Sequence, residues 1–288
     1  MCLETHGVPP MLTKEERGPS DRIDPRELTP LGPVSWGYAA RAEGSGSGTA
    51  QPILIQCHER YGVVQHTIEL ADRFAEAGFV TIAPDFYADV ELTGAEERLP
   101  EISDEAALRH IDAAIAYART LEGCGEDSPV AVIGVCRTGS YGLVADAERD
   151  DIDAVVLLYG GAQDREYEVG DLRTRPYEEL IRAGDAPVLG LWGEKDHTMS
   201  VDDVRRVRDL LENAGRSYDF VLYPGLPHGW LNDTMPGRFR EEEANESFDR
   251  IARWLGERLT GPEPEHVTWS FTSRYAHDYD FANNPRLH

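Results

Sequence analysis

The feature that leaves the fewest folds open is a repeated alternation between short, mainly apolar runs and helical patterns. The runs are PILIQC (52–57), FVTIAPDF (79–86), VAVIGVC (130–136), DAVVLLYGG (153–161), APVLGLWG (186–193) and YDFVLYPG (218–225). Each is bounded by Gly, Pro or Asp and lacks polar alternation, so each is expected as a strand buried on both faces. Apolar residues recur at helical spacing over 68–77, from Leu108 through Ile111, Ile115 and Tyr117 to Leu121, over 201–214 and over 241–259. Ser103 has the chemistry of an N-cap for the second of these helices. Strands alternating with helices of this length predict an α/β fold, a mainly parallel sheet with helices on both faces. Ligand chemistry in such a sheet belongs just beyond the carboxyl ends of the strands.

The flanks read differently. Residues 1–50 form a leader rich in Pro, Gly and charge, with one apolar stretch (34–40) read as a strand and GSGSG (44–48) as a loose hairpin loop. Residues 51–260 make the body. The tail, 261–288, carries Trp269, Phe271, Tyr275, Tyr279 and Phe281, a density of aromatics expected to pack onto the body or onto a second subunit in a homodimer. The chain holds 28 Lys+Arg against 53 Asp+Glu, a net charge of −25. With no basic patch, that field argues against nucleic acid and anionic membrane as partners. No run approaches the roughly 18–20 apolar residues of a membrane span, and the start lacks a secretory pattern, so a cytoplasmic protein is expected. Cys2, Cys57, Cys124 and Cys136 form no CxxC pair, which fits free thiols in a reducing compartment and no metal site.

One cysteine stands where chemistry is expected. Gly134-Val135-Cys136-Arg137-Thr138-Gly139 follows a strand and precedes a helical pattern. Small residues two positions either side of a central nucleophile are the mark of a nucleophile elbow, a sharp strand-to-helix turn that lifts that side chain above the sheet. The turn would aim the Arg137 amide and the helix N-terminus at the reaction centre, favouring a thiolate and an oxyanion. The competing reading is a buried structural cysteine. Two further strand ends decide between them. Asp196 follows the run ending at 193 in GEKDH, and His228 follows the run ending at 225 in PHGW. The chain order nucleophile, acid, histidine is that of α/β-hydrolases, which makes Cys136, His228 and Asp196 the candidate triad. The loop after the first buried run, Cys57-His58-Glu59-Arg60-Tyr61-Gly62, would supply the second oxyanion amide from Arg60 N–H. Cys57 itself has no small-residue elbow and reads as core. Tyr61, Tyr159, Trp192 and Trp230 lie beside strand ends, where they either line a pocket or pack in the core.

QCHERYG (56–62), AEAGFVTIAPDFYA (75–88), GVCRTG (134–139), LLYGG (157–161), GEKDH (193–197) and PHGWLNDTMPGRF (227–239) together resemble the dienelactone hydrolase family, also called carboxymethylenebutenolidases, over about 52–259. A cysteine in the elbow is itself fairly diagnostic, since most α/β-hydrolases use serine. The resemblance implies Cys136 as nucleophile, His228 as base, Asp196 as its orienting acid, Glu59 as a gate beside the cysteine or histidine, and the Arg60 and Arg137 amides as oxyanion donors. Two departures stand out. The oxyanion positions, usually apolar in the family, are both arginines here. The position four residues after the histidine, arginine in the enzyme acting on dienelactone itself, is Asn232.

The chemistry expected is attack of a thiolate on an ester or lactone carbonyl, then hydrolysis of the acyl-enzyme, with no cofactor. HERYG offers one His and one Glu and too few ligands for a metallohydrolase. The substrate is expected to be a small-molecule ester or lactone, and a carboxylate on it would find a bidentate partner in Arg60 or Arg137. Tyr61, Tyr159 and Trp230 are the other candidate substrate contacts. The residues leave open a non-hydrolytic cyclisation or rearrangement on the same triad, and a ligand-binding protein on a retired scaffold.

Overall fold

Within each central run, alternate side chains enter two different cores. The computed structural model describes residues 28–42, 50–90, 100–262 and 266–273. The six runs form β3 (Ile53–Cys57), β4 (Val80–Pro84), β5 (Val130–Val135), β6 (Ala154–Leu158), β7 (Val188–Gly193) and β8 (Tyr218–Tyr223). Ile53, Ile55, Val130 and Val132 face one core, while Leu54, Ala131 and Ile133 face the other. The first core is closed by α2 (Asp104–Arg119), α3 (Tyr141–Glu148), α4 (Tyr177–Ala183) and α5 (Val201–Ala214) through residues such as Ile111, Leu143, Ile181 and Val207. The second is closed by α1 (Gln65–Glu76) and α6 (Glu241–Thr260) through Leu70, Phe74, Phe248 and Ile251. With both sheet faces covered, the strands are apolar at nearly every position, Gln56, Thr81 and Asp219 excepted, which is why the runs read as continuous.

Helix boundaries follow local chemistry. Ser103 caps α2 by accepting the Ala106 N–H at 3.2 Å, and Ser200 and Asp203 form a reciprocal capping box on α5. Acidic residues fill both first turns, where the helix dipole favours them.

The nine strands of the described residues run β1-β2-β4-β3-β5-β6-β7-β8-β9, where β1 is Thr29–Gly32, β2 is Ser35–Ala40 and β9 is Trp269–Ser273. Pairing is parallel from β4 across to β9, and antiparallel only at β1–β2 and β2–β4. This corrects the loose hairpin expected after residue 40. β2 does not pair with β3, because both edges of β3 are taken by β4 and β5. The hairpin lies before it, between β1 and β2. The GSGSG segment lies outside the described residues, as do residues 1–27 and Tyr275, Tyr279 and Phe281. In the tail, β9 extends the sheet beside β8, and the Trp269 indole N–H donates to Arg216 O at 2.9 Å. Periodicity did not reveal β9, whose edge position leaves it half-exposed, nor α4, a two-turn helix inside the 162–185 loop. Among the described residues, no helix is long and apolar enough to cross a membrane, and no group of three or more His, Cys, Asp or Glu is arranged to hold a metal ion.

Candidate active site

The turn after β5 is possible only because three strand ends come unusually close. Cys136 has φ of 58°, a left-handed conformation rare for a residue with a side chain. A Cβ on Gly134 would lie 2.4 Å from Thr138 O, and one on Gly160, at the end of β6, would lie 2.1 Å from Cys136 O. Backbone therefore occupies the space that any larger residue would need. Thr138, bulky for an elbow, is explained by its hydroxyl. The oxygen accepts the Val135 N–H at 3.1 Å and sits 3.0 Å from both Val135 O and His58 O, joining the elbow to the loop after β3. His58 fixes that loop from inside, with Nδ1 2.6 Å from Glu59 O and Nε2 accepting the Phe86 N–H at 3.1 Å. It is a satisfied core histidine. Burial pushes the Cys57 thiol up, in keeping with a packing role.

Cys136, His228 and Asp196 meet from three strand ends. Cys136 Sγ lies 3.0 Å from His228 Nε2, and His228 Nδ1 lies 2.7 Å from Asp196 Oδ2. Thr198, two residues beyond the acid, donates its N–H and hydroxyl to Asp196 Oδ1, both at 2.7 Å, which holds the other carboxylate oxygen on His228. Burial works against a charged imidazole, but the charges of Cys136 and then Asp196 outweigh it and raise the His228 pKa to about 10. Burial also opposes ionisation of Asp196, yet the charge and hydrogen bond of His228 hold it below the usual carboxylate range. The geometry is a hydrogen-bonded series of thiol, imidazole and carboxylate, an arrangement suited to nucleophilic catalysis.

The triad opens on a cavity of about 240 Å³ whose wall includes Glu59, Arg60, Tyr61, Arg137 and Arg238. Glu59 is buried, and its Oε2 accepts from Asn232 Nδ2 at 2.7 Å. The asparagine four residues after the histidine thus holds the acidic residue in the wall of the cavity that the thiol also lines. Arg137 borders the cavity, but its guanidinium is paired with Glu101, and Arg165 Nη2 donates to Arg137 O at 2.7 Å. Arg60 lies on the rim, over the Tyr61 ring. Burial, then the charges of Glu59 and Cys136, raise the Tyr61 phenol to about 12. His197 also lines the cavity, its pKa lowered to about 4 by burial and then by the charges of His228 and Arg238.

Two candidate substrate contacts lie elsewhere. Tyr159 and Trp230 are fully buried behind His228, with ring centroids 5.1 Å apart, and neither borders the cavity. The physical reason is size and polarity. The Trp230 indole N–H is already used by Ser247 Oγ at 3.1 Å, and both rings fill the layer between sheet and α6. Trp192 is likewise core, packed edge-on to Phe220 with its N–H on Gly160 O. Arg165, His197 and Arg238 were not singled out from sequence. Arg165 lies in a loop without periodicity, whereas His197 and Arg238 stand inside GEKDH and PHGWLNDTMPGRF, where they could have been noticed.

The sequence profile of the dienelactone hydrolase family matches residues 37–259. A protein of Methylorubrum extorquens named "Putative carboxymethylenebutenolidase" is 29% identical over 215 residues, 71% of either chain. One of the same name from Salmonella typhimurium is 28% identical over 234 residues, 76% of this chain and 82% of its own. A crystal structure titled as a "Putative Dienelactone Hydrolase" from Klebsiella pneumoniae superposes with a TM-score of 0.67 at 24% identity, covering 75% of this chain and 90% of that one. With the α/β-hydrolase sheet and a match across most of its length, the chain belongs to the dienelactone hydrolase family and is a hydrolase.

Proposed function

We propose that the protein hydrolyses a lactone or carboxylic ester of a small metabolite through an acyl-enzyme on Cys136. The observation that carries this reading is the 3.0 Å approach of Cys136 Sγ to His228 Nε2 at a left-handed elbow facing the cavity. The thiolate attacks the carbonyl carbon, and the new oxyanion is held by the Arg60 and Arg137 amides, with the short helical turn at 136–138 behind the second. The imidazolium of His228 gives its Nε2 proton to the departing alkoxide as the C–O bond breaks, leaving a thioester and a neutral imidazole. Water then attacks the thioester, His228 takes its proton, and collapse releases the acid and restores the ion pair. Asp196 keeps the ring in register throughout. In the tetrahedral intermediate a thiolate leaves more readily than a simple alkoxide. Activated esters and enol lactones, whose leaving groups compete with sulfur, are therefore favoured over amides.

An anionic substrate is favoured by the arginines on the wall, Arg60, Arg137, Arg165 and Arg238, which outnumber Glu59. The discriminating experiment is pre-steady-state hydrolysis of an activated aryl ester. A burst of phenolate and a mass increase on Cys136 are expected. Cys136→Ala should abolish the burst and lower kcat by about 10³-fold or more, and a folded Cys136→Ala protein with wild-type turnover would overturn the proposal.

A further inference from the structure

Two cavities meet at the arginine that follows the elbow cysteine. Arg137 and Arg165 line the cavity that the triad opens on, and both also line a second cavity of about 220 Å³ at the start of α3. The two arginines are held differently. Arg165 donates to Arg137 O at 2.7 Å, to Gln163 Oε1 at 3.2 Å and to Glu166 Oε1 at 3.3 Å. The Arg137 guanidinium is paired with Glu101, whose side chain is 41% exposed. An ion pair with one partner in water is weakly held, so Arg137 is the more easily turned of the two.

The second cavity differs from the first in charge. Its three arginines are matched by acids: Arg137 by Glu101, Arg165 by Glu166, and Arg173 by both Asp104 and Glu166. Glu168 and Asp171, both exposed, add negative charge to its wall, so an anionic group would meet repulsion there. The rest of the wall is partly apolar, with Ile102, Tyr141, Val169 and Leu172. Val169 and Leu172 are 57% and 44% exposed, two of the five large hydrophobic side chains left in solvent among the described residues. Singly, neither would call for an explanation, but both border the same cavity. An apolar cavity of about 150 Å³ holds a benzene ring. The second cavity therefore has room for an aryl or short alkyl group.

We infer that the second cavity takes an uncharged, apolar arm on the acid half of the ester, and that the Arg137 side chain is the partition this arm must pass. The inference rests on the cysteine-hydrolase reading given above and adds to it the class of acyl group and the residue that selects it. The acid half stays tied to Cys136 from the first attack to deacylation, so an arm held beyond Arg137 contributes to both steps. The near cavity, where arginines outnumber Glu59, suits a polar or anionic group close to the carbonyl, and the far cavity suits the apolar end.

The test is a series of 4-nitrophenyl esters whose acyl chains of increasing length end in a phenyl ring, each matched to an ester ending in a carboxylate, with the butanoate as the short reference. At the length that reaches the second cavity, kcat/KM should exceed that of the butanoate by about 10-fold, the scale of filling an apolar pocket, and the carboxylate partner should show no such gain. Val169→Asp combined with Leu172→Asp, both at exposed positions, should remove the gain while leaving the butanoate within about twofold. Arg137→Ala should raise the ratio of long to short ester by about threefold or more, and Glu101→Gln, which releases the guanidinium without altering the elbow, should move it in the same direction. A readout independent of ester turnover is alkylation of Cys136 by iodoacetamides carrying the same phenyl-ended arms, where the same preferences and the same variant effects are expected. A series without an optimum, a gain that survives the two aspartates, a preference for the carboxylate arm, or a ratio unmoved by both Arg137→Ala and Glu101→Gln overturns the inference. If the parent turns over no ester, the hydrolase reading fails by itself, and the alkylation series still decides what the second cavity takes.

Discussion

His228 is buried between the Cys136 sulfur and the Asp196 carboxylate, and that arrangement sets how the protein responds to pH. Its folded pKa of about 10 stands above the ordinary imidazole value of 6.5. A raised pKa means that the stabilisation from the charged ring is complete below about 6.5 and is lost as pH rises through about 10. The rate should follow the same limb, because the leaving group needs the Nε2 proton. A profile of kcat/KM between pH 7 and 11 is expected to fall near pH 10, and Asp196→Asn should bring the fall down by about one unit or more. A limb at the same pH in both proteins would contradict the role given to Asp196. At this scale the candidate triad was legible in the sequence, because an elbow needs small residues at fixed offsets and the acid and base follow strand ends in a set order. Arg165 was not, since nothing local marks which face of a loop side chain meets a cavity. Tyr159 and Trp230 were placed on the cavity wall by proximity in sequence, and only the packing of α6 over the sheet shows that they are behind it.

Among the elements, the elbow, the β3 loop and the end of β6 behave as one unit. Thr138 ties the first two together, and Gly160 lets the third pass at contact distance. Behind them the buried guanidinium of Arg173 binds Asp104 with two bonds, and also Glu166 and Ser140, so α2, the 162–175 loop and the start of α3 share one anchor. Gly160→Ala, which places a methyl 2.1 Å from Cys136 O, should cost about 3 kcal/mol in urea or guanidinium unfolding, at the upper end for overpacking. The loss in kcat should exceed what the remaining folded fraction explains, because the elbow itself must shift. Strands β3 to β8 and the long helices could be read from periodicity, as both sheet faces are covered and capping is local. The β1–β2 pairing, α4 and β9 could not. Each is short, and each is stabilised by an edge or a loop that the chain supplies from far away in sequence.

Across the whole molecule, a net charge of −25 surrounds a cavity whose wall carries arginines. The far field repels an anionic ester while the near field attracts it. Raising ionic strength from about 10 mM to 150 mM shortens the screening length from roughly 30 Å to 8 Å, which removes the far repulsion before the short-range contacts. The ratio of kcat/KM for an anionic over a matched neutral aryl ester should therefore rise with salt, by about twofold or more; a steep decline would show that the wall arginines steer from a distance. Charge alone argued against a nucleic-acid partner, and hydropathy alone pointed to the layered sheet, because one is a sum over residues and the other a local period. Which arginines border the cavity, and that Asn232 holds Glu59 in its wall, were decided only by tertiary structure. The Asn232–Glu59 pair joins residues 173 positions apart, and contact at such a separation depends on how the strands are ordered and packed, which no local pattern encodes.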